Sequence, residues 1–243
     1  MNGLDLAHTE QWLLGPLFDS DHPFFAINKE TVIYTWITLA IIAFLLLIAR
    51  YLLSRKESLS HFAVISVVNF FVDLINQSLP KFAFGHFVFI TTAFCFVLMC
   101  NVVSIVPYMH EPTTDVNTTL ALGLVAFFYT QWAAIRSVGL LNYIKGYFSP
   151  FFIMMPLNVV GKLATVISIS FRLFGNIFGG SIISTLYFQT IQSTFVFEII
   201  GLLSGMNLII MGFFGIFEGC LQAFVFSMLS LTYLSLAIQG EGH

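Results

Sequence analysis

A single arginine stands deep inside an apolar run, Ile167-Ser168-Ile169-Ser170-Phe171-Arg172-Leu173-Phe174-Gly175-Asn176-Ile177-Phe178-Gly179-Gly180. Its guanidinium does not give up its proton. Carrying that charge to the centre of a bilayer costs roughly 2.5–3.5 kcal/mol on insertion scales. An arginine held there faces a polar pathway or a counter-charge. The alternative is an arginine that snorkels from near a helix end, but no end signal lies within a turn of Arg172. The chemistry on offer is electrostatic: a permanent cation in a place of low dielectric.

At helical spacing from Arg172 lie Gly161, Thr165, Ser168, Gly175, Asn176 and Gly179, all small or polar. Phe171, Phe174, Ile177 and Phe178 mark the other side. A second cluster, Gly212, Gly215, Glu218, Gly219 and Gln222, follows further along, with Glu218 and Gln222 as i,i+4 neighbours. Small-residue stripes let a second helix approach closely. They also serve ordinary packing within a protein. The coincidence with Arg, Asn, Glu and Gln favours a polar pathway beside a close-packed partner.

The composition says what must position these groups. The chain is 58% hydrophobic and 9% charged, with mean hydropathy +0.93. A soluble domain of this length carries about a quarter charged residues, so a polytopic membrane protein is expected. The net charge of -3 argues against a nucleic-acid surface. Cys95, Cys100 and Cys220 lie inside apolar runs without ligand spacing and read as small buried hydrophobes.

Residues 1–30 are mixed and acidic and are expected on the outer side. Residues 31–53 form a first span ending in Arg50, Arg55 and Lys56, which the positive-inside rule puts at the inner face. Residues 58–80 mix Phe62, Ile65, Val68, Phe71, Val72 and Ile75 with Asn69, Asp73, Asn76 and Gln77. They read as an amphipathic surface helix, or alternatively a short buried one. Residues 82–136 form a helical hairpin with an acidic outer loop. Residues 150–238 hold two apolar segments of about 40 residues, each about 60 Å long as an unbroken helix against a hydrocarbon core of about 30 Å. They must break or incline steeply. The fold expected is a single all-α membrane domain over 1–243: about five membrane helices, one amphipathic helix, and a long, steeply tilted last pair.

Three stretches resemble subunit a of F-type ATP synthase. Pro156-Leu157-Asn158 with Ser168 through Asn176 is similar to that family's arginine signature. Asp115-Val116-Asn117-Thr118-Thr119-Leu120-Ala121-Leu122 resembles its second motif, and Leu221-Gln222-Ala223-Phe224-Val225-Phe226 with Tyr233-Leu234-Ser235 its third. The resemblance implies an ion-translocating stator, most simply for protons, that is not catalytic by itself. Its partners would be a rotating ring of c subunits, the subunit b stalk, the other synthase subunits and the bilayer. Arg172 would face each passing ring carboxylate between half-channels open to opposite sides. Ser168, Gly175, Gly179, Gly215 and Gly219 would pack against the ring, Asp115 and Asn117 would sit in the outer loop, and the last two helices would curve along the ring. No cofactor or metal is implied.

The departures are specific. The acidic or His residue that relatives usually carry nine positions after the arginine is Ser181 here, and the His or Glu seven before the glutamine is Gly215. Lys162 stands where an acid is frequent, and Thr165-Val166 replaces a basic-Pro pair. Glu218 is the expected replacement on the outer path, with Glu198 second, and Asn176, Gln222 and Ser181 would orient water beside it. A membrane anion transporter with a substrate-binding arginine is the alternative function, weakened by the lack of an inverted repeat. A bacterial inner membrane is the expected location, a mitochondrial inner membrane the alternative.

Overall fold

The computed structural model describes residues 11–13, 26–54, 59–103, 111–148, 153–192 and 212–239. Seven α-helices account for most of these: α1 Lys29–Ser54, α2 Leu59–Ser78, α3 Phe84–Val102, α4 Val116–Val138, α5 Leu140–Tyr147, α6 Met154–Gln192 and α7 Glu218–Gln239. A 3-10 turn, Pro112–Thr114, precedes α4, and a π-helical stretch, Gly212–Phe217, leads into α7. One feature was not anticipated. Gln11–Leu13 (β1) pairs antiparallel with Ala26–Asn28 (β2), tying the N-terminal segment to itself just before α1.

Helices α1, α3, α4, α6 and α7 are long and apolar enough to cross a membrane. Helix α1 makes the case most plainly. Only 6% of its most apolar window is buried within the chain, leaving Trp36, Phe44, Leu46 and Leu47 exposed. So much bare apolar surface is stable only in lipid or against another subunit. Polar side chains within such helices bond to their own backbone instead. Thr35 donates to Thr31 O at 2.7 Å, Thr38 to Tyr34 O at 2.8 Å and Thr130 to Ala126 O at 2.8 Å.

Two contacts fix the direction of the spans. Thr31 Oγ1 donates to Asp115 Oδ2 at 3.4 Å, so α1 and α4 start at the same end. Ser235 Oγ donates to Ser78 O at 2.6 Å, so α7 finishes beside the end of α2 and the start of α3. One end of the bundle therefore carries Arg50, Lys81, Arg136 and Lys145; the other carries Glu30, Glu111, Asp115 and Glu218. We refer to them as the basic and acidic ends.

Helix α4 starts on a cap: Asp115 Oδ1 accepts from Asn117 N at 2.9 Å. It stops at Gly139, whose φ of 87° suits a residue without Cβ and turns the chain into α5. Phe71 and Ile75 of helix α2, and Leu79 just past its end, are buried one turn apart, while Phe62 and Val68 of its apolar pattern are exposed. Ile75 and Leu79 pack with Ile90, Ala133, Leu231 and Leu234 at the basic end. A second core joins Val97, Ala126, Ile169, Leu173, Ile177, Ala223 and Phe226 from α3, α4, α6 and α7.

Helix α6 runs 39 residues without a break, about 58 Å at 1.5 Å per residue. A hydrocarbon layer of about 30 Å does not accommodate it upright. The other long segment, from Phe195, lies partly outside the described residues; its described part is the π-helical stretch followed by α7.

Candidate functional site

Helix α6 has two different sides. Val166, Ile169, Ser170, Leu173 and Ile177 fall at i, i+3, i+4, i+7 and i+11, one face of the helix, and are buried against α4 and α7. Where α4 crosses it, Gly123 leaves room for Ser170: a Cβ at 123 would stand 2.1 Å from Ser170 Oγ. Away from that seam, Arg172, Ser168, Gly175 and Asn176 are exposed. A Cβ built at Gly161, Gly175 or Gly179 would meet nothing within 4 Å. Arg172 thus lies on an open, low-relief surface, and no described residue supplies it with an ion pair or hydrogen bond.

The aromatic residues of α6 do not form one opposite side. Ile177 is in the core, whereas Phe171 and Phe178 are exposed at 56% and 44%. Phe174 stacks on Phe178 with ring centroids 5.1 Å apart.

Asn176 connects the open side to α7. Its Nδ2 donates to Gln222 Oε1 at 2.7 Å, and Gln222 is buried. Gln222 lies one turn inside the start of α7, and Glu218, half-buried, is that helix's first residue. The arginine's neighbourhood is therefore coupled by one side-chain bond to a carboxylate-bearing helix start at the acidic end. The buried Gln222 amide is spared part of its desolvation cost by this bond.

The remaining expected site residues fall elsewhere. Ser181 is exposed and follows Arg172 by nine residues, about half a turn round the helix at ~100° per residue. It is not brought to the Asn176–Gln222 pair. Gly219 is a departure from a ring-packing role: it is buried against α3, where an added Cβ would come 2.7 Å from Asn101 Cβ. That space is already filled from within the chain. Gly215 sits in the π-helical stretch. Asp115 caps α4, and Asn117 beside it is exposed. Glu198 lies outside the described residues.

Two groupings escaped the sequence reading. Asn101, 2% exposed, donates to Gly219 O at 3.4 Å and accepts from Thr113 Oγ1 at 3.3 Å, a buried polar link between α3, the 3-10 turn and α7. Its signal was a lone amide near the end of an apolar span. The other is at the basic end. Lys162 Nζ donates to Gln131 Oε1 and to Tyr143 OH, each at 3.3 Å, and lies 4.6 and 4.1 Å from the ring centroids of Tyr143 and Tyr147. Among the described residues there is no cluster of His, Cys, Asp and Glu able to hold a metal ion.

The arrangement supplies a cation unpaired among the described residues on an open face, a pair of bonded amides beside it, and polar groups at both ends of an apolar bundle. Comparison with known proteins agrees in kind. A family described as ATP synthase A chain matches residues 32–235. An ATP synthase subunit a of Moorella thermoacetica is 32% identical over 216 residues, covering 87% of this chain and 92% of the relative. An ATP synthase subunit a 2 of Pelobacter propionicus is 30% identical over 213 residues, 86% of each chain. A protein named ATP synthase subunit a, sodium ion specific, of Propionigenium modestum is 30% identical over 230 residues, 86% of this chain and 73% of the relative. The chain is a multi-pass integral membrane protein and belongs to the ATP synthase A chain family.

Proposed function

We propose that this chain is the ion-translocating stator of an ATP synthase membrane sector, carrying protons, with Arg172 facing the carboxylates of a c-subunit ring. The observation that carries the reading is the exposure of Arg172, without a partner among the described residues, on a surface where Gly161, Gly175 and Gly179 leave space for another body. An ionised carboxylate in hydrocarbon is very costly. A ring carboxylate can lose its proton in the membrane only where a cation meets it. Arg172 meets it, favours its charged form, and bars ions from passing directly between the two access paths.

By the positive-inside rule the basic end is the inner side. An outer path then enters past Glu218 and reaches the ring beside Gln222 and Asn176. The inner path leaves toward the basic end. Helix α6, too long to stand upright, lies inclined along the ring, with the subunit b stalk and other synthase subunits holding the chain against rotation. The relatives named above are bacterial, which supports a bacterial plasma membrane.

The test is Arg172→Ala in the assembled complex. Ion-driven ATP synthesis is expected to vanish while the soluble head still hydrolyses ATP. Arg172→Lys is expected to fail too, because an ammonium lacks the planar fork and sheds its proton when desolvated. Normal coupled synthesis in the Ala variant would refute the proposal.

A further inference from the structure

At the basic end, α4, α6 and α7 do not close on one another. Between them lies a cavity of about 280 Å³. Its walls include Ala126, Val166 and Ile169, but also six polar side chains: Thr130, Gln131, Lys162, Thr165, Ser230 and Tyr233. Leu236 and Ala237, in the last turn of α7, also line it and place it toward the basic end. Ser230 is 1% exposed, and its hydroxyl has no hydrogen-bond partner. A water takes about 30 Å³ and stays where several polar groups hold it, whereas wholly apolar cavities stay dry. This cavity has room for several waters and the groups to hold them.

Its charge is set by one residue. The Lys162 ammonium is held over two tyrosine rings and bonded to two neutral oxygens. Tyr143 is itself fixed, donating to Gln131 and bonding Tyr147 OH at 2.7 Å. Tyrosine faces and neutral oxygens stabilise a cation without cancelling its charge. No carboxylate among the described residues lies against it. A cation fixed in a narrow wet space makes the whole space positive.

We infer that this cavity is a water-filled vestibule at the inner end of the bundle, and that Lys162 makes it repel metal cations while drawing in anions. Protons still cross such a space by exchange along hydrogen-bonded water, but an alkali-metal ion is turned away. The inference builds on the ion-carrying reading above and concerns which ions reach its inner path. Its test does not depend on ion transport.

The experiment uses the intact complex in inverted membrane vesicles, with Cys95, Cys100 and Cys220 replaced by Ala and a single Ser230→Cys introduced. Two water-soluble thiosulfonates of similar size are compared, one ending in a sulfonate and one in a trimethylammonium group. Each rate is divided by the same reagent's rate with a small free thiol. The sulfonate is expected to react about tenfold faster on this scale, as a unit charge several ångströms away in a partly wet site allows. Lys162→Gln should remove the preference and Lys162→Glu reverse it. Lys162→Arg should keep it, which guards against a variant that merely misfolds. Thr165→Cys, on the same wall, should behave alike. Failure of both reagents at both positions would show a dry cavity and overturn the inference. Equal normalised rates with Lys162 present, or a preference unchanged by Lys162→Gln, would overturn it as well. Loss of synthesis in Arg172→Ala with no charge preference in the vestibule would uphold the stator and reject the vestibule.

Discussion

The glycines of α6 and those of its neighbours look alike in sequence and do opposite things. Gly123 and Gly219 are filled positions, with Ser170 and Asn101 occupying the space a Cβ would need. Gly161, Gly175 and Gly179 are empty ones, with nothing within 4 Å. The first pair lets helices of this chain approach and completes the bundle. The second set leaves a smooth surface beside Arg172 that no described residue covers. Small residues thus mark close approach, but only the structure tells whether the approaching body is already present. For the arginine side of α6 none is present among the described residues, and a cation without a partner among them gives a reason to expect one.

The comparison breaks most visibly at the filled positions. Gly123→Val places branched carbon against Ser170 Oγ and the Val166 carbonyl, 3.3 Å from the first added atom. Overpacking of this kind costs about 1–3 kcal/mol and more when backbone must move, against a marginal total stability of about 5–15 kcal/mol. The amount of chain retained in the membrane, measured by immunoblot, should fall sharply. Unchanged levels would mean that α4 and α6 are not packed as described.

Next in size is a change that keeps the chain and removes its function. Glu218 starts α7, adjoins the filled Gly219 and precedes the buried Gln222 by one turn. Glu218→Gln keeps the shape and removes the titratable group. ATP-driven proton pumping by vesicles should drop severely with assembly intact, and Glu198→Gln should be milder. Near-normal pumping in an assembled Glu218→Gln complex would leave that carboxylate a structural hydrogen-bonding role.

The smallest effect on the chain itself is expected at the empty positions. Gly175→Ala adds a methyl that meets nothing among the described residues, and helix propensity alone favours alanine by up to about 1 kcal/mol. Chain levels should hold or rise slightly. Gly175→Leu should hold levels too but lower coupled synthesis, because its bulk is felt only by the partner. Full synthesis with Gly175→Leu would argue that no body lies close there.

Much of this was legible in the sequence, for physical reasons. Apolar runs report spans because lipid demands them, and a charge inside such a run, Arg172, raises the expectation of a pathway because charge in lipid is costly. The excessive length of α6 follows from counting residues. Occupancy was not legible. Periodicity puts Gly175 and Gly219 each on a small-residue stripe but carries no information on what lies opposite, so Gly219 was grouped with positions that face outward. Periodicity does place Ser181 half a turn from Arg172, and a motif position alone obscured that. The Lys162 grouping draws Gln131, Tyr143 and Tyr147 from other helices, and the β1–β2 pair joins three-residue strands too short to show a pattern. Both depend on contacts between segments that the order of residues does not announce.

The central claim is that the open side of α6 lies against a ring of carboxylate-bearing helices. Single cysteines at Ser168, Gly175 or Asn176, each paired with a cysteine on the outer helix of the ring subunit, test it directly in assembled membranes under mild oxidation. The account predicts disulfide-linked products from these positions and none from Ser170 or Ile177, which are buried against α4 and α7. Cross-links confined to Phe171 and Phe178, with none from Ser168, Gly175 or Asn176, would contradict it.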